Sequence, residues 1–219
     1  MEITSRRNFT PNFQARLVAK TANRIGKLET KIDIWEVTPR DSVILEKIVE
    51  KTDMKKLMPD IPYFESTRWQ QMLEIAVDDT LFRNAKTYLA VTNGNKPCGI
   101  MSIMEDKQKI KTSCVSTWPV EVGKRVKFAG KTLFKHLFHV FENSKAKKIY
   151  LNAISDGPRP TVPLYQSLGF RIADKDRLDL LEINKQQAQL SCKKLSEFID
   201  YTAVKSGENI DLSRVLDLD

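Results

Sequence analysis

The stretch KIKTSCVSTWPVEVGKRVKFAGKTLFKHLFHVFEN, residues 109–143, combines three patterns that together favour an α/β fold. It begins with a run of β-branched and apolar residues, 110–118, which is typical of a strand. A basic turn that contains glycine follows over 122–131, and apolar side chains then recur at helical spacing to the end of the stretch. The first N–H groups of a helix lack internal acceptors and carry partial positive charge, so the arrangement predicts a phosphate or pyrophosphate site at 124–132. The alternative is an ordinary strand-to-helix turn with a solvated basic rim, because one glycine turn is a weak motif.

Composition limits the class of protein. The chain has 219 residues, of which 41% are hydrophobic and 29% charged, and its formal net charge is +8. One large domain, alone or with short additions, fits this length, and the positive charge suits an anionic ligand or partner. The three cysteines have no CxxC spacing, so we expect reduced thiols in a cytoplasmic protein. We expect no membrane span, since no apolar run approaches ~20 residues, and no metal, since His136 and His139 have no carboxylate or cysteine at ligand spacing.

The patterns in the rest of the chain predict one mixed sheet with helices around it. The coarse order is a strand at 31–37, two helices, three antiparallel strands, the helix of the opening stretch, a strand, a short helix and a final strand pair. Asn93-Gly94 predicts a tight turn between the first two of the three antiparallel strands, and Gly169 is expected at the C-terminal end of the short helix. The basic segment 1–30 is either an arm for nucleic acid or a short helix with a solvated cationic face. Residues 184–206 predict a further helix, and the acidic residues 208–219 predict a loosely docked tail.

The segment Leu164–Phe170, LYQSLGF, lies on the predicted short helix and is the most specific motif in the chain. With the element order over 31–183 and the basic glycine turn, it resembles the GNAT superfamily of acetyl-CoA-dependent N-acetyltransferases. The phosphate turn of that family reads Gln or Arg, two residues, Gly, one residue, then Gly or Ala, and Arg125–Gly130 matches at its first residue and its last glycine. Phe128 stands where the first glycine is expected, and a positive φ would strain it. Pro158 stands where the family often has asparagine.

The resemblance implies a GNAT-like α/β fold, with a mixed, mostly antiparallel central sheet flanked by helices. Two of its strands splay, and the pantetheine arm of acetyl-CoA lies in the gap. The chain would then divide into a basic N-terminal segment 1–30, an acetyltransferase domain 31–183, and a C-terminal helix with an acidic tail, 184–219. The implied cofactor-binding residues are Trp118, Val120, Val122, Arg125, Lys127, Phe128, Ala129, Gly130, Lys131 and Thr132.

The resemblance also implies catalytic candidates. Tyr165 is the candidate acid for the leaving thiolate, and its alternative role is only to shape the site. Glu121 is the first candidate for the general base and Glu105 the second, each against the alternative of a solvated surface carboxylate. Cys114 has no evident base partner, so it is more typical of a small core residue than of a nucleophile.

The function predicted from the sequence is an N-acetyltransferase that moves the acetyl group of acetyl-CoA to a primary amine by direct transfer, with the acceptor unidentified. Two other functions stay open. One is a GNAT-like module that binds CoA or a partner without catalysis, and the other is a basic nucleic-acid-associated protein. A homodimer is compatible with the sequence, and no membrane partner is expected.

Overall fold

The computed structural model describes residues 15–26, 28–154, 160–205, 207 and 209–218. The basic residues before Ala15 and the segment 155–159, which contains Pro158, lie outside these ranges, so the predictions made for them stay predictions.

Strands and helices follow one another along the described chain. The strands are β1 (Ala15–Ile25), β2 (Leu28–Val37), β3 (Lys86–Thr92), β4 (Lys96–Glu105), β5 (Lys109–Thr117), β6 (Lys148–Asn152), β7 (Arg171–Asp174), β8 (Arg177–Asn184), β9 (Ile199–Ala203) and β10 (Asn209–Ile210). The helices are α1 (Ser42–Lys51), α2 (Met54–Leu57), α3 (Tyr63–Phe82), α4 (Ala129–Asn143), α5 (Val162–Ser167) and α6 (Lys185–Leu195).

The strands form one sheet in the order β10-β1-β2-β3-β4-β5-β6-β8-β7, and β9 also pairs with β1. Among the described strands, every pairing is antiparallel except that of β5 with β6. The predicted mixed, mostly antiparallel sheet flanked by helices is therefore confirmed. The tight turn between β3 and β4 is also confirmed, since Asn93 and Gly94 have φ of 54° and 80° as an Asn-Gly hairpin turn requires.

Helices cover both faces of the sheet and set the position of the site between them. On one face, α1–α3 bury residues such as Leu45 and Leu73 against the sheet. On the other face, α4 buries the apolar stripe predicted from its spacing, including Leu133 and Phe138, and α6 packs beside it. Burial of each such side chain contributes roughly 1.5–3 kcal/mol relative to exposure. The two layers therefore hold α3 and α4 on opposite sides of β5.

The N-terminal segment differs from the prediction, because residues 15–25 form a strand and not a helix or an arm. The inward positions of β1 carry small or polar residues, such as Ala19, Thr21 and Asn23, and a bulge interrupts the alternation near Val18. Such a strand has a weak apolar pattern, which is why periodicity did not identify it. Arg16 pairs with a glutamate of β2 at 2.6 Å, so this cation is used within the sheet.

The C-terminal part also differs from the prediction. The expected single helix over 184–206 ends at Leu195, and β9 then pairs with β1. The expected loose tail instead contributes β10, and it buries Leu212 and Leu216 in the core beneath α1–α3. The chain on both sides of 31–183 thus joins the same sheet, while the division into three segments stays a prediction.

Candidate functional site

The site begins where the two parallel strands separate. Residues 109–112 of β5 pair with 148–151 of β6, and no pairing of these strands continues beyond this register in the described chain. A bulge in the pairing of β5 with β4 falls at Ser113, at the point of separation. Over Ser113–Thr117, β5 has β4 as its strand partner on one side, and no strand of the described residues pairs with its other edge, which is therefore open among them. An open edge offers backbone N–H and C=O groups that an extended ligand can use as an added strand would.

A cavity of about 500 Å³ fills the gap between the separated strands. Its walls come from α3, β5, the turn before α4, the start of α4, the end of β6, and α5. The lining residues are Trp69, Met72, Thr112, Ser113, Cys114, Val115, Ser116, Thr117, Trp118, Pro119, Arg125, Val126, Phe128, Ala129, Gly130, Lys131, Phe134, Leu151, Asn152, Ala153, Ile154, Thr161, Leu164, Tyr165 and Leu168. The volume and the mixed lining are those of a small-molecule site.

The N-terminus of α4 opens into this cavity. Its cap residue is Phe128, and the N–H groups of Gly130 and Lys131 donate to no acceptor within the described chain. A Cβ on Gly130 would lie 3.8 Å from the Thr117 methyl group, so the helix start lies against the end of β5. Arg125 also lines the cavity, and its guanidinium lies 5.6 Å from the centre of the Trp69 ring of α3. Free N–H groups, the helix dipole and two cationic side chains make this end of the cavity suited to a phosphate group.

The turn before α4 carries backbone strain at one position. Phe128 has φ 67° and ψ 4°, in the left-handed region that an aromatic residue rarely adopts. The sequence indicated that a positive φ would strain this residue, and the turn nevertheless has one. Non-glycine residues held in this region cost free energy, and such residues cluster at ligand sites.

Tyr165 lies on α5 and lines the cavity. Its ring packs on Phe134 and Phe170, with centroid distances of 5.5 and 6.1 Å. Burial, and secondly the nearby thiol of Cys114, raise the pKa of Tyr165 to about 12. The phenol is therefore protonated at neutral pH and able to donate a proton, which is what the predicted acid role requires.

The predicted bases lie elsewhere. The carboxylate of Glu121 pairs with Lys124 and, at 2.9 Å, with Lys96, and it does not line the cavity. These hydrogen bonds lower the pKa of Glu121 to about 2, so it is a weak base. Glu105 pairs with Lys86 at 2.7 Å and is also absent from the lining. This geometry does not support the role predicted for either glutamate.

Among the described lining residues there is no Asp, Glu or His. Cys114 lines the cavity, and its thiol donates a hydrogen bond to the carbonyl oxygen of Met72 at 2.6 Å. Burial raises the pKa of Cys114 to about 12, which leaves the thiol protonated and agrees with its interpretation as a core residue.

The predicted cofactor-binding residues fall into two groups. Those that line the cavity are Trp118, Arg125, Phe128, Ala129, Gly130 and Lys131. Those outside the lining are Val120, Val122, Lys127 and Thr132. Thr132 is fully buried and hydrogen-bonds to Asn23 of β1, while Val122 is exposed, so neither faces the cavity. The direction of Thr132 follows from its position in the first turn of α4, because it lies on the face of that helix that packs against the sheet.

Sequence reasoning missed the wall that α3 contributes. Trp69 and Met72 line the cavity at i, i+3 spacing on that helix. Their apolar spacing was visible in the sequence, but a core stripe and a cavity wall have the same spacing. The separation of two strands was expected only from the family resemblance, and its place at Ser113 carried no sequence signal.

The described residues contain no group of three or more His, Cys, Asp or Glu side chains that could hold a metal ion. No helix within the described ranges is long and apolar enough to cross a membrane.

No family model and no curated protein matches the sequence. Among solved structures, the chain is similar to the PaiA N-acetyltransferase of Thermoplasma acidophilum in complex with coenzyme A, with a TM-score of 0.49 and 17% identity over 70% of this chain and 98% of that chain. It is similar to aminoglycoside 6'-acetyltransferase type Ii, with a TM-score of 0.47 and 13% identity over 69% of this chain and 96% of that one. It is also similar to a protein described as a GNAT-family acetyltransferase from Desulfovibrio desulfuricans, with a TM-score of 0.46 and 13% identity over 70% and 99% of the two chains.

The last of these structures is described as a member of the family that the sequence resembles. At TM-scores of 0.46–0.49 and identities of 13–17%, the similarity shows no function for this chain.

Proposed function

We propose that this protein is an N-acetyltransferase that moves the acetyl group of acetyl-CoA to a primary amine by direct transfer. The observation that carries the proposal is the cavity between the separated strands β5 and β6, with the free N–H groups of α4 at one end and Tyr165 on its wall. A long ligand with an amide-containing arm and a pyrophosphate fits both features. The open edge of β5 suits the arm, and the start of α4 suits the phosphates.

Each part of the site has a role in this proposal. Backbone groups of Ser113–Thr117 hold the pantetheine arm, and the N–H groups of Gly130 and Lys131 hold the pyrophosphate with Arg125 as a charge partner. Acetyl-CoA supplies the acetyl group in activated form, as a thioester. A backbone N–H on β5 polarises the thioester carbonyl towards the attacking amine.

Tyr165 completes the transfer. When the new C–N bond forms and the C–S bond breaks, the phenol of Tyr165 gives its proton to the sulfur. The amine nitrogen, which is positively charged after the attack, loses one proton to water to become the amide, and the Tyr165 phenolate regains a proton from water. Since Glu121 is held by two lysines outside the cavity, we propose that the acceptor enters as the neutral amine. The rate should then rise with pH until the pKa of the acceptor itself is reached, with no additional step from an enzyme carboxylate.

Calorimetric titration with acetyl-CoA tests the binding part of the proposal. We expect saturable binding, and the absence of heat at millimolar acetyl-CoA would exclude the proposed function. Turnover is then measured as thiol release over a broad panel of amines. For Tyr165→Phe we expect a fall in kcat of about 10²-fold with KM for acetyl-CoA nearly unchanged, as for loss of a general acid. Tyr63→Phe, a change at an exposed tyrosine outside the cavity lining, serves as the matched control.

A second candidate is a CoA-binding module without catalysis. It is favoured by the lack of Asp, Glu and His among the described cavity residues. Under this alternative, acetyl-CoA binds, no amine in the panel releases thiol, and Tyr165→Phe leaves binding unchanged.

A further inference from the structure

A cluster of two phenylalanine rings and one lysine lies at the rim of the cavity. Phe128 caps α4 and Phe198 follows α6, and their ring centroids are 6.2 Å apart with an angle of 16° between the planes. The Lys131 ammonium lies 5.3 Å from the centre of the Phe128 ring and 6.0 Å from that of Phe198. Phe128 and Lys131 line the cavity whereas Phe198 does not, so Phe198 extends the cavity wall outward.

Phe198 is 43% exposed, but its backbone is held in place. Its N–H donates to the carbonyl of Leu195 at 3.1 Å, and its carbonyl accepts from the N–H of Arg24 at 3.0 Å. Its backbone is therefore fixed to α6 on one side and to β1 on the other. An exposed aromatic face on a fixed backbone can bind a flat ring at little cost in conformational entropy.

The chemistry of the cluster selects a ligand. An aromatic face accepts a heteroaromatic ring by stacking, and a neighbouring ammonium pairs with a phosphate. These two groups lie next to the start of α4, where the pyrophosphate is placed under the proposed function. The end of coenzyme A beyond its pyrophosphate is an adenosine that carries a 3′-phosphate, so it would meet this cluster.

We infer that Phe198 and Lys131 form the subsite for the adenosine 3′-phosphate of coenzyme A, which rests on the proposed function. The adenine ring stacks on the ring of Phe198, and the Phe128 ring is stacked against that same Phe198 ring. The Lys131 ammonium pairs with the 3′-phosphate. Phe198 lies outside residues 31–183, so a segment that the family resemblance does not cover contributes to cofactor binding.

Three ligands and four variants test the inference by calorimetry. The ligands are coenzyme A, dephospho-coenzyme A, which lacks the 3′-phosphate, and 4′-phosphopantetheine, which lacks the adenosine. The variants are Phe198→Ala, Phe198→Tyr, Lys131→Met and, as a matched control, Phe82→Ala. Phe82 is 80% exposed and lies outside the cavity lining, so the control removes the same atoms from a different surface. Urea midpoints are compared first, so that each variant is known to be folded.

We expect Phe198→Ala to weaken coenzyme A binding roughly tenfold, as for loss of one stacked base, and Phe198→Tyr to retain it. Binding of 4′-phosphopantetheine should be the same in both variants and in the wild type. Lys131→Met should abolish the preference for coenzyme A over dephospho-coenzyme A.

If the wild type binds coenzyme A and Phe198→Ala binds it equally well, the inference is wrong while the proposed function stands. An equal loss for coenzyme A and 4′-phosphopantetheine would also overturn it, because the effect would then be structural. If the wild type binds none of the three ligands, the proposed function is wrong and this subsite with it.

Discussion

The left-handed backbone at Phe128 gives a quantitative prediction about stability. The position has φ 67°, and the left-handed conformation costs a residue with a Cβ about 1–2 kcal/mol. Glycine avoids this cost but loses more entropy on folding, by about 0.5–1 kcal/mol relative to alanine. With central values for both costs, about 1.5 and about 0.75 kcal/mol, Phe128→Gly should be more stable than Phe128→Ala by about 0.75 kcal/mol.

The comparison of these two variants isolates the backbone term, because both remove the ring. Loss of the half-buried ring and of its contact with Phe198 should cost either variant about 1–2 kcal/mol. We therefore expect the free energy of unfolding to fall in the order wild type, Phe128→Gly, Phe128→Ala. Relief of the strain brings the glycine variant close to the wild type.

Urea denaturation at pH 7 measures the difference. With a slope of about 2 kcal/mol per M, the midpoint of Phe128→Gly should exceed that of Phe128→Ala by roughly 0.3–0.5 M. The same pair of changes at Phe82 is the control. Phe82 is the last residue of α3 and has an ordinary negative φ, so alanine should be the more stable of the two there. If alanine is also equal or better at position 128, backbone strain does not determine the stability of this turn.

Three other changes have expected outcomes of known sign. Gly169 has φ 89°, and a Cβ there would overlap a serine hydroxyl of α6, so Gly169→Ala should lower the free energy of unfolding by about 2–4 kcal/mol in urea denaturation. Gly26 has φ 59° and open space around it, so the control Gly26→Ala should cost about 1 kcal/mol. Burial, and then the charge of His139, lower the pKa of His136 to about 3, so the folded state resists protonation and stability falls as pH decreases from 6.5. Between pH 7 and 5 the loss should be about 2 kcal/mol, and a His136→Phe variant with an unchanged pH dependence would contradict this. The variants Asn23→Ala and Thr132→Ala should each cost about 1–3 kcal/mol, and a double-mutant cycle that shows no coupling between them would contradict their 3.0 Å hydrogen bond.

The sequence predicted the parts of the fold that depend on local patterns. The apolar stripe of α4 was visible because four turns of helix repeat it, and the Asn93-Gly94 turn was visible because few dipeptides adopt its backbone angles. Gly169 was expected at the end of the short helix, and it lies there with a positive φ. The alternation of β1 was hidden by its inward Asn23 and by the bulge near Val18.

Parts of the candidate site were not predictable, because they depend on pairings that are distant in sequence. Glu121 follows β5 as a catalytic carboxylate would, but its neighbour Gly123 has φ 71° and closes a tight turn. Lys96, at the start of β4 and 25 residues before Glu121 in the sequence, donates a hydrogen bond to that carboxylate. The direction of a side chain after a strand depends on such a turn, and spacing alone does not reveal it.

The helix whose N-terminus opens into the cavity, α4, is supported from outside residues 31–183. Asn23 of β1 hydrogen-bonds to Thr132, the Tyr201 hydroxyl of β9 lies 2.8 Å from Nδ1 of His136, and Lys135 donates to the Cys192 carbonyl of α6 at 2.7 Å. These three polar side chains of α4 are buried, and buried polar groups are costly without partners. The hydrogen-bond partners of these side chains come from the chain on both sides of 31–183. The segment that resembles the family therefore does not itself supply these partners for the buried polar groups of α4. The predicted boundaries therefore describe where the resemblance ends, whereas the geometry of the cavity depends on strands and a helix beyond them.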